Sequence, residues 1–300
     1  MIDIIIPAYN SHDTIINTLF SINMQTIKDK LNIIIVDDYS DKGYEEIVKL
    51  FEDLNIKIVR LKDNKGPGYA RERGMKESTN KYIYFMDSDD CFINMFSLEY
   101  LYNNIKNNDI IAGLVVIEDK NNEVNDVKIT KFDLHGKLFK RKYIEENYFS
   151  FNNTRRSEDN SFYRLLRLGT NKYKEIESEI ELYSYNKDSI TNKDNNYRIN
   201  ESNYLLDNIK WLEKEALKRK FNTESLAYTI SIYFSYFFIL TIENPNDTEI
   251  NDSFKRFMKI LNKYKKHIDF VDLYSKIELI KKDYHTKVMY DLVINELLNK

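Results

Sequence analysis

The chain has 300 residues, a formal net charge of −3, and 42% hydrophobic and 31% charged side chains. That length and balance fit one large globular domain or two smaller ones, and they exclude a disordered chain. The small net charge supplies no global field for nucleic acid, and the single cysteine, Cys91, excludes an internal disulfide framework and a cysteine-rich zinc site.

Ile2–Ile6, a β-branched run, predicts the first strand. Met1 leads straight into it without the charged start and apolar core of a secretory leader, so a cytoplasmic location is expected. Apolar residues at helical spacing predict helices over His12–Gln25 and Tyr44–Leu54, while Asn32–Val36 and Lys57–Leu61 read as strands. Strand-helix-strand order implies a parallel sheet with right-handed crossovers, whose ligands sit at the carboxyl ends of the strands. Two of those ends are Pro7-Ala8-Tyr9-Asn10 and Asp37-Asp38-Tyr39-Ser40-Asp41. The segment Asn64 to Gly74 then runs from a Gly66-Pro67-Gly68 turn into a helix start bearing Arg71 and Arg73. Glycines there permit close backbone approach, and a helix N-terminus with arginines favours anions.

Lys81–Met86 predicts another strand, and Asp87-Ser88-Asp89-Asp90 follows at once. Crowded carboxylates repel and raise each other's pKa, a penalty that a divalent ion removes by taking one or two of them together with phosphate oxygens. A polar turn that ends a strand is the structural alternative. Convergence of several polar strand ends on one edge favours the ion.

Asp109–Ile117 reads as a strand and Glu118–Asp126 as a hairpin or loop. Leu134–Lys142 is expected to lead into a helix through Asn147, which makes Lys137, Lys140, Arg141 and Lys142 a solvated helix start. Another helix is expected to open after Arg155 and Arg156 and to continue to Leu168, with Ser157 as N-cap and Glu158 and Asp159 in its first turn. Cys91 reads as a small packed residue, and His135 is the one histidine near the acidic run.

From Asn200 to Lys300 helical periodicity is nearly continuous, broken at Glu243–Asp247. Leu226–Ile242 is largely apolar but shorter than the roughly 20 residues of a membrane span, so a buried core helix is expected, with docking on a membrane or partner as the alternative. Lys263, Lys265 and Lys266 are expected to give the following helix a basic face.

The stretches IDIIIPAYN at 2–10, IIIVDDYSD at 33–41, NKGPGYARERG at 64–74, YFMDSDD at 84–90, SEDNSFYRLLRLG at 157–169 and YSYNKDSIT at 183–191 resemble family 2 glycosyltransferases in order and spacing. The resemblance covers about residues 1–195. It implies an α/β, GT-A fold: a Rossmann-like nucleotide-sugar-binding domain with a mostly parallel central sheet. On this reading residues 1–199 form the catalytic domain, with a nucleotide-binding half at 1–90 and an acceptor half at 91–199, and residues 200–300 form an all-helical region.

The resemblance further implies inverting transfer of a sugar from a nucleotide-diphosphate donor, expected to be a UDP-sugar, to a hydroxyl of a bacterial surface glycan or its lipid-linked precursor. By position, Pro7, Ala8 and Tyr9 would line the nucleobase and ribose pocket, Asp38 would accept the base N–H, and Gly66 and Arg71 would hold the nucleotide. Asp87 and Ser88 would meet the ribose or diphosphate, Asp89 supported by Asp90 would ligate Mn2+ or Mg2+, and Asp159 would be the general base. Glu158, His135, Lys137 and Tyr185 would touch the acceptor or form a lid. Tyr39, Glu72 and His135-Gly136 depart from the family pattern, as does the missing proline after Cys91. Residues 200–300 would contact the acceptor, the inner membrane face or a second copy, and nucleic acid is not an expected partner. The alternatives are an inactive nucleotide-sugar-binding scaffold, a nucleotidyltransferase, and a transferase acting on protein or modified DNA. Retention of Asp38, Asp87, Asp89 and Asp159 together speaks against the scaffold.

Overall fold

The computed structural model describes the chain apart from residues 122, 131–132, 153, 155, 187–196, 282 and 299–300, with backbone alone at 197–201, 276, 279–280 and 284. The chain divides into two units, Met1–Lys193 and Asp194–Lys300.

In the first unit, β1 (Ile2–Ala8), β2 (Leu31–Asp37), β3 (Ile56–Arg60) and β4 (Tyr82–Phe85) alternate with α1 (Ile15–Asn23), α2 (Glu45–Val48) and α3 (Pro67–Glu77). These strands lie in the order β3-β2-β1-β4, all parallel. All seven residues of β1 are buried, as a parallel strand covered on both faces requires. Leu19 and Ile22 of α1 pack with Ile4, Ile6, Ile33 and Ile35 in one core. Register sets the strand ends side by side: Ala8 pairs with Asp37, and Ile5 with Phe85. The α/β class and the parallel order of the first four strands are as the sequence led us to expect.

The chain continues through β5 (Cys91–Phe92), α4 (Ser97–Ile105), β6 (Ile110–Glu118), β7 (Val124–Lys128), β8 (Lys137–Lys140), α5 (Arg141–Glu146), α6 (Glu158–Leu168) and β9 (Tyr173–Tyr183). The sheet extends from β4 as β8-β6-β9-β5, with β7 paired to β6. Strand β8 is antiparallel to both β4 and β6, while β9 runs parallel to β6. Glu118–Asp126 is thus part of a β6–β7 hairpin.

Three local expectations are corrected. Lys137 to Lys140 is a strand rather than a solvated helix start, because Leu138 and Phe139 bury themselves between β4 and β6, and Lys137 is fully buried with them. The helix predicted over Tyr44–Leu54 is one α-turn, Glu45–Val48, followed by a 3-10 turn at Lys49–Phe51. Ser157 makes no side-chain capping bond, since its φ of 56° places it in the left-handed region.

The second unit contains α7 (Tyr197–Lys218), α8 (Thr223–Glu243), α9 (Thr248–Tyr264), α10 (Phe270–Ile280) and α11 (Tyr284–Leu298). Asn222 caps α8 through Ser225 N, and Asp247 caps α9, which explains the break between them. With 21 residues, α8 is long and apolar enough to cross a membrane, yet its Phe234 and Phe237 are fully buried and pack on Phe257 of α9. The expected basic face is partly spent inside this unit: Lys263 binds Glu213 at 3.0 Å, and Lys265 binds Leu297 O at 3.2 Å.

Candidate active site

The residues that follow β1, β2 and β4 form the floor of the site. Pro7 and Ala8 are buried, whereas Tyr9 is exposed at the strand end. Asp37 is spent on structure, accepting Ser40 N at 2.8 Å and Arg60 Nη1 at 2.5 Å. Asp38 accepts Lys65 N and Gly66 N, each at 2.8 Å, and so holds the loop that enters α3. A carboxylate has about four acceptor positions, so two remain after these bonds. Burial pushes the Asp38 carboxyl above its ordinary pKa, opposed by the two backbone bonds. Gly66 stands at φ 88°, a conformation that glycine adopts without strain.

Arg71, near the start of α3, forks between two carboxylates. Its Nη2 donates to Asp87 at 2.5 Å and its Nη1 to Glu158 at 2.7 Å. Burial raises the pKa of Glu158 to about 7, with Arg71 only partly offsetting it. At Asp87 burial also opposes ionisation, but Arg71 outweighs it and the pKa falls. Asp159 is raised by burial, again against Arg71. It is half-buried and makes no ion pair among the described residues. Arg71, aided by His135 at Asp87 and Asp159, serves this group of three carboxylates, and burial outweighs them at Glu158 and Asp159.

Ser88 and Asp89 are half-buried, and Asp89 accepts Asn186 Nδ2 at 2.7 Å. Burial raises its pKa, with Asp87 adding to the shift. Asp90 is buried, accepts Ser184 N at 3.0 Å through Oδ1, and lies 3.3 Å from His135 Nδ1 through Oδ2. That Oδ2 receives no hydrogen bond. Burial holds the Asp90 carboxyl well above its ordinary pKa despite His135.

His135 Nδ1 also lies 2.8 Å from Glu181 Oε1, and Glu181 Oε2 accepts Gly136 N at 2.7 Å and the Tyr84 hydroxyl. Burial works against protonation of His135, yet Glu181 and Asp90 outweigh it and its pKa stands well above the usual imidazole value. Lys137 turns inward, with Nζ 2.7 Å from Thr130 Oγ1, 2.9 Å from His135 O, and 4.7 Å from the centre of the Tyr163 ring. Burial lowers its pKa, with Asp133 opposing. Tyr185 is exposed just beyond β9, and residues 187–191 of the same motif, like Arg155, lie outside the described residues.

Among the described residues, Asp87, Asp90 and His135 present ligand atoms within 4.8 Å of one another. Asp89, expected as the principal ligand, is not in that group. The buried Asp90 Oδ2 without a donor fits a divalent cation, and carboxylates suit Mg2+ or Mn2+. His135, held as an imidazolium by Glu181 and Asp90, has no lone pair for a cation, so the carboxylates of Asp87 and Asp90 would hold the ion. A cleft of about 310 Å³ lined by Lys65, Tyr69, Asn152 and Thr154 opens beside the start of α3. Sequence reasoning missed Glu181 and Tyr84. The stretch Glu175-Ile-Glu-Ser-Glu-Ile-Glu181 alternates, but four glutamates hide it as a strand and nothing in it marks which glutamate turns inward.

The sequence model of the family described as Glycosyl transferase family 2 matches residues 3–165. The chain belongs to that family. Over 203 residues this family member is 28% identical to the poly(ribitol-phosphate) beta-N-acetylglucosaminyltransferase TarP of Staphylococcus aureus (strain N315), a match covering 61% of this chain and 62% of TarP. It spans less than two thirds of the length of the curated relatives it matches. Its fold resembles S. aureus TarS 1-349 in complex with UDP-GlcNAc, with a TM-score of 0.71 and 18% identity over 92% of this chain and 83% of that one. It also resembles the mannosyltransferase PcManGT from Pyrobaculum calidifontis in complex with GDP-Man and Mn2+, with a TM-score of 0.58 and 14% identity over 98% of this chain and 84% of that one. At those identities the likeness shows the fold, and it agrees with the GT-A architecture implied by the sequence motifs.

Proposed function

We propose that this family member is an inverting glycosyltransferase that moves a sugar from a UDP-sugar to a hydroxyl of a bacterial surface glycan on the cytoplasmic side. One observation carries the reading. The ends of β1, β2 and β4 bring Tyr9, Asp38 and Asp87 to Asp90 to one edge, and Arg71 links Asp87 to the first turn of α6, where Asp159 stands. The name of TarP and the nucleotide sugar bound to TarS support the acceptor class and the donor.

Tyr9 and Asp38 would hold the nucleobase, and Ser88 and Asp87 the ribose and diphosphate. Asp87 and Asp90, with Asp89 at the rim, would hold a divalent ion, for which the Mn2+ in the mannosyltransferase complex is a precedent. When bound, such an ion supplies Lewis-acid stabilisation of the negative charge on the leaving diphosphate. Asp159 takes the proton of the acceptor hydroxyl as that oxygen attacks the anomeric carbon from the face opposite the diphosphate, which inverts configuration. Its raised pKa brings it closer to neutrality, where a general base works best.

A thermal-shift screen of nucleotide sugars with and without Mn2+, followed by product analysis on the best stabiliser, tests the reading. Free UDP as product supports it. Pyrophosphate as product would instead mark a nucleotidyltransferase, and no response to any nucleotide sugar would count against the whole assignment.

A further inference from the structure

Helix α3 is fastened to the segment bearing Asp159 by three contacts. Arg71 Nη1 donates to Glu158 Oε1 at 2.7 Å, and Phe151 N donates to Glu72 Oε2 at 3.1 Å. The third is a close approach: a Cβ added at Gly68 would stand 2.6 Å from Glu158 Cγ. The side chains of Arg71 and Glu158 are 7% and 4% exposed, so neither faces open solvent. Arg71 Nε is also buried and finds no hydrogen-bond partner, which leaves two carboxylates, Glu158 and Asp87, to set the plane of the guanidinium. Helix α6 has no side-chain N-cap bond, and the Arg71–Glu158 pair stands at the first turn in its place.

We propose that Glu158 is a positioning residue that fixes Arg71, and through Arg71 Asp87, so that Asp159 stands at a set distance from the end of β4. The proposal rests on the glycosyl-transfer reading above. Glu158 and Asp159 are adjacent in α6, so their side chains diverge by about 100° around the helix axis, and one can anchor while the other stays accessible. Transfer needs the base and the leaving diphosphate on opposite faces of one carbon. A misplacement of about 1 Å in such an arrangement costs about 100-fold in rate. Gly68 has its place in the same device: without a side chain it lets α3 press on Glu158. On this proposal Glu158, expected to touch the acceptor or form a lid, acts inside the protein instead.

The test uses the full chain, its donor UDP-sugar and its acceptor. Glu158→Gln keeps an oxygen for Arg71 but removes the charge, and Glu158→Ala removes both. We expect kcat for transfer to fall about 10-fold in the first and about 100-fold in the second, with donor KM held within about threefold. Gly68→Ala drives a methyl group into Glu158 and should lower kcat about 10-fold or more in the wild-type background. Added to Glu158→Ala, where the colliding Cγ is gone, it should cost less than about threefold. Wild-type kcat in Glu158→Gln overturns the proposal, and this variant decides the matter if Glu158→Ala does not fold. A loss carried by donor KM alone, or a Gly68→Ala effect equal in both backgrounds, overturns it too. A wild-type chain that neither binds nor turns over any nucleotide sugar sinks the transfer reading itself, so the two failures are told apart.

Discussion

His135 Nδ1 lies 2.8 Å from Glu181 Oε1, joining the segment before β8 to the C-terminal end of β9 beside Asp90. Glu181 is fully buried and gathers three donors, from His135, Gly136 N and the Tyr84 hydroxyl. Breaking a buried charge pair from one side costs about 3–5 kcal/mol, because the other charge is left behind. Glu181→Ala should therefore lower the melting temperature by about 6–20 °C at roughly 2–4 °C per kcal/mol, and calorimetry would show it. A shift below about 2 °C would mean that the pair does not hold this part of the sheet together.

Lys137 calls for a different variant. Its ammonium is buried against Thr130, the His135 carbonyl and the Tyr163 ring, and Asp133 stands 3.5 Å away. Lys137→Met keeps much of the side-chain volume but strands those acceptors, at a cost of about 3 kcal/mol. If Lys137 were a surface residue, as its basic neighbourhood in sequence suggests, the same change would cost under about 0.5 kcal/mol. Urea unfolding of the two proteins distinguishes the cases.

The pH dependence of stability follows from Glu158. Its folded pKa, about 7, lies above the ordinary 4.5, so the unfolded chain releases this proton first. Stability contributed by the protonated form is complete below 4.5 and is lost as pH rises through about 7, on the order of 3 kcal/mol in all. Asp87 acts in the opposite sense but in a lower window, its depressed pKa costing stability only as pH falls below the ordinary 3.8. Melting curves between pH 4.5 and 8 should thus slope downward in the wild type and less steeply in Glu158→Gln. Equal slopes would show that Glu158 is already ionised at low pH through Arg71.

Asp38 holds two backbone N–H groups of the loop entering α3. Asp38→Ala leaves both without their acceptor, and at about 1 kcal/mol each the loop becomes harder to order around a nucleotide. UDP affinity, measured by calorimetric titration, should drop about 10-fold or more. An unchanged affinity would place the nucleobase elsewhere.

The parallel half of the sheet was readable because Ile4–Ile6 and Ile33–Val36 are unbroken β-branched runs, which a strand buried on both faces needs. Their polar ends, Asp38 and Asp87 to Asp90, follow directly from the strands, so their convergence was readable as well. Strand β9 was not, because four glutamates in Tyr173–Tyr183 depress β propensity and most of the strand is only partly covered. With β9 unseen, Glu181 had no reason to be placed near His135. Lys137 was misplaced for a related reason: a lysine among Lys140, Arg141 and Lys142 looks solvated, and only the pairing of β8 with β4 and β6 turns it inward. The fork of Arg71 depends on contacts 16 and 87 residues apart in sequence, which no local pattern encodes.

Release of UDP from a UDP-sugar in the presence of Mn2+ and acceptor, by the wild type and by Asp159→Asn, tests the assignment most directly. Loss of general-base assistance should lower transfer by about 10²–10⁴-fold, while Mn2+-dependent UDP binding stays within a few-fold of wild type. Undiminished transfer by Asp159→Asn would contradict the assignment of the base and, with it, the division of labour between Asp159 and the carboxylates at Asp87 to Asp90.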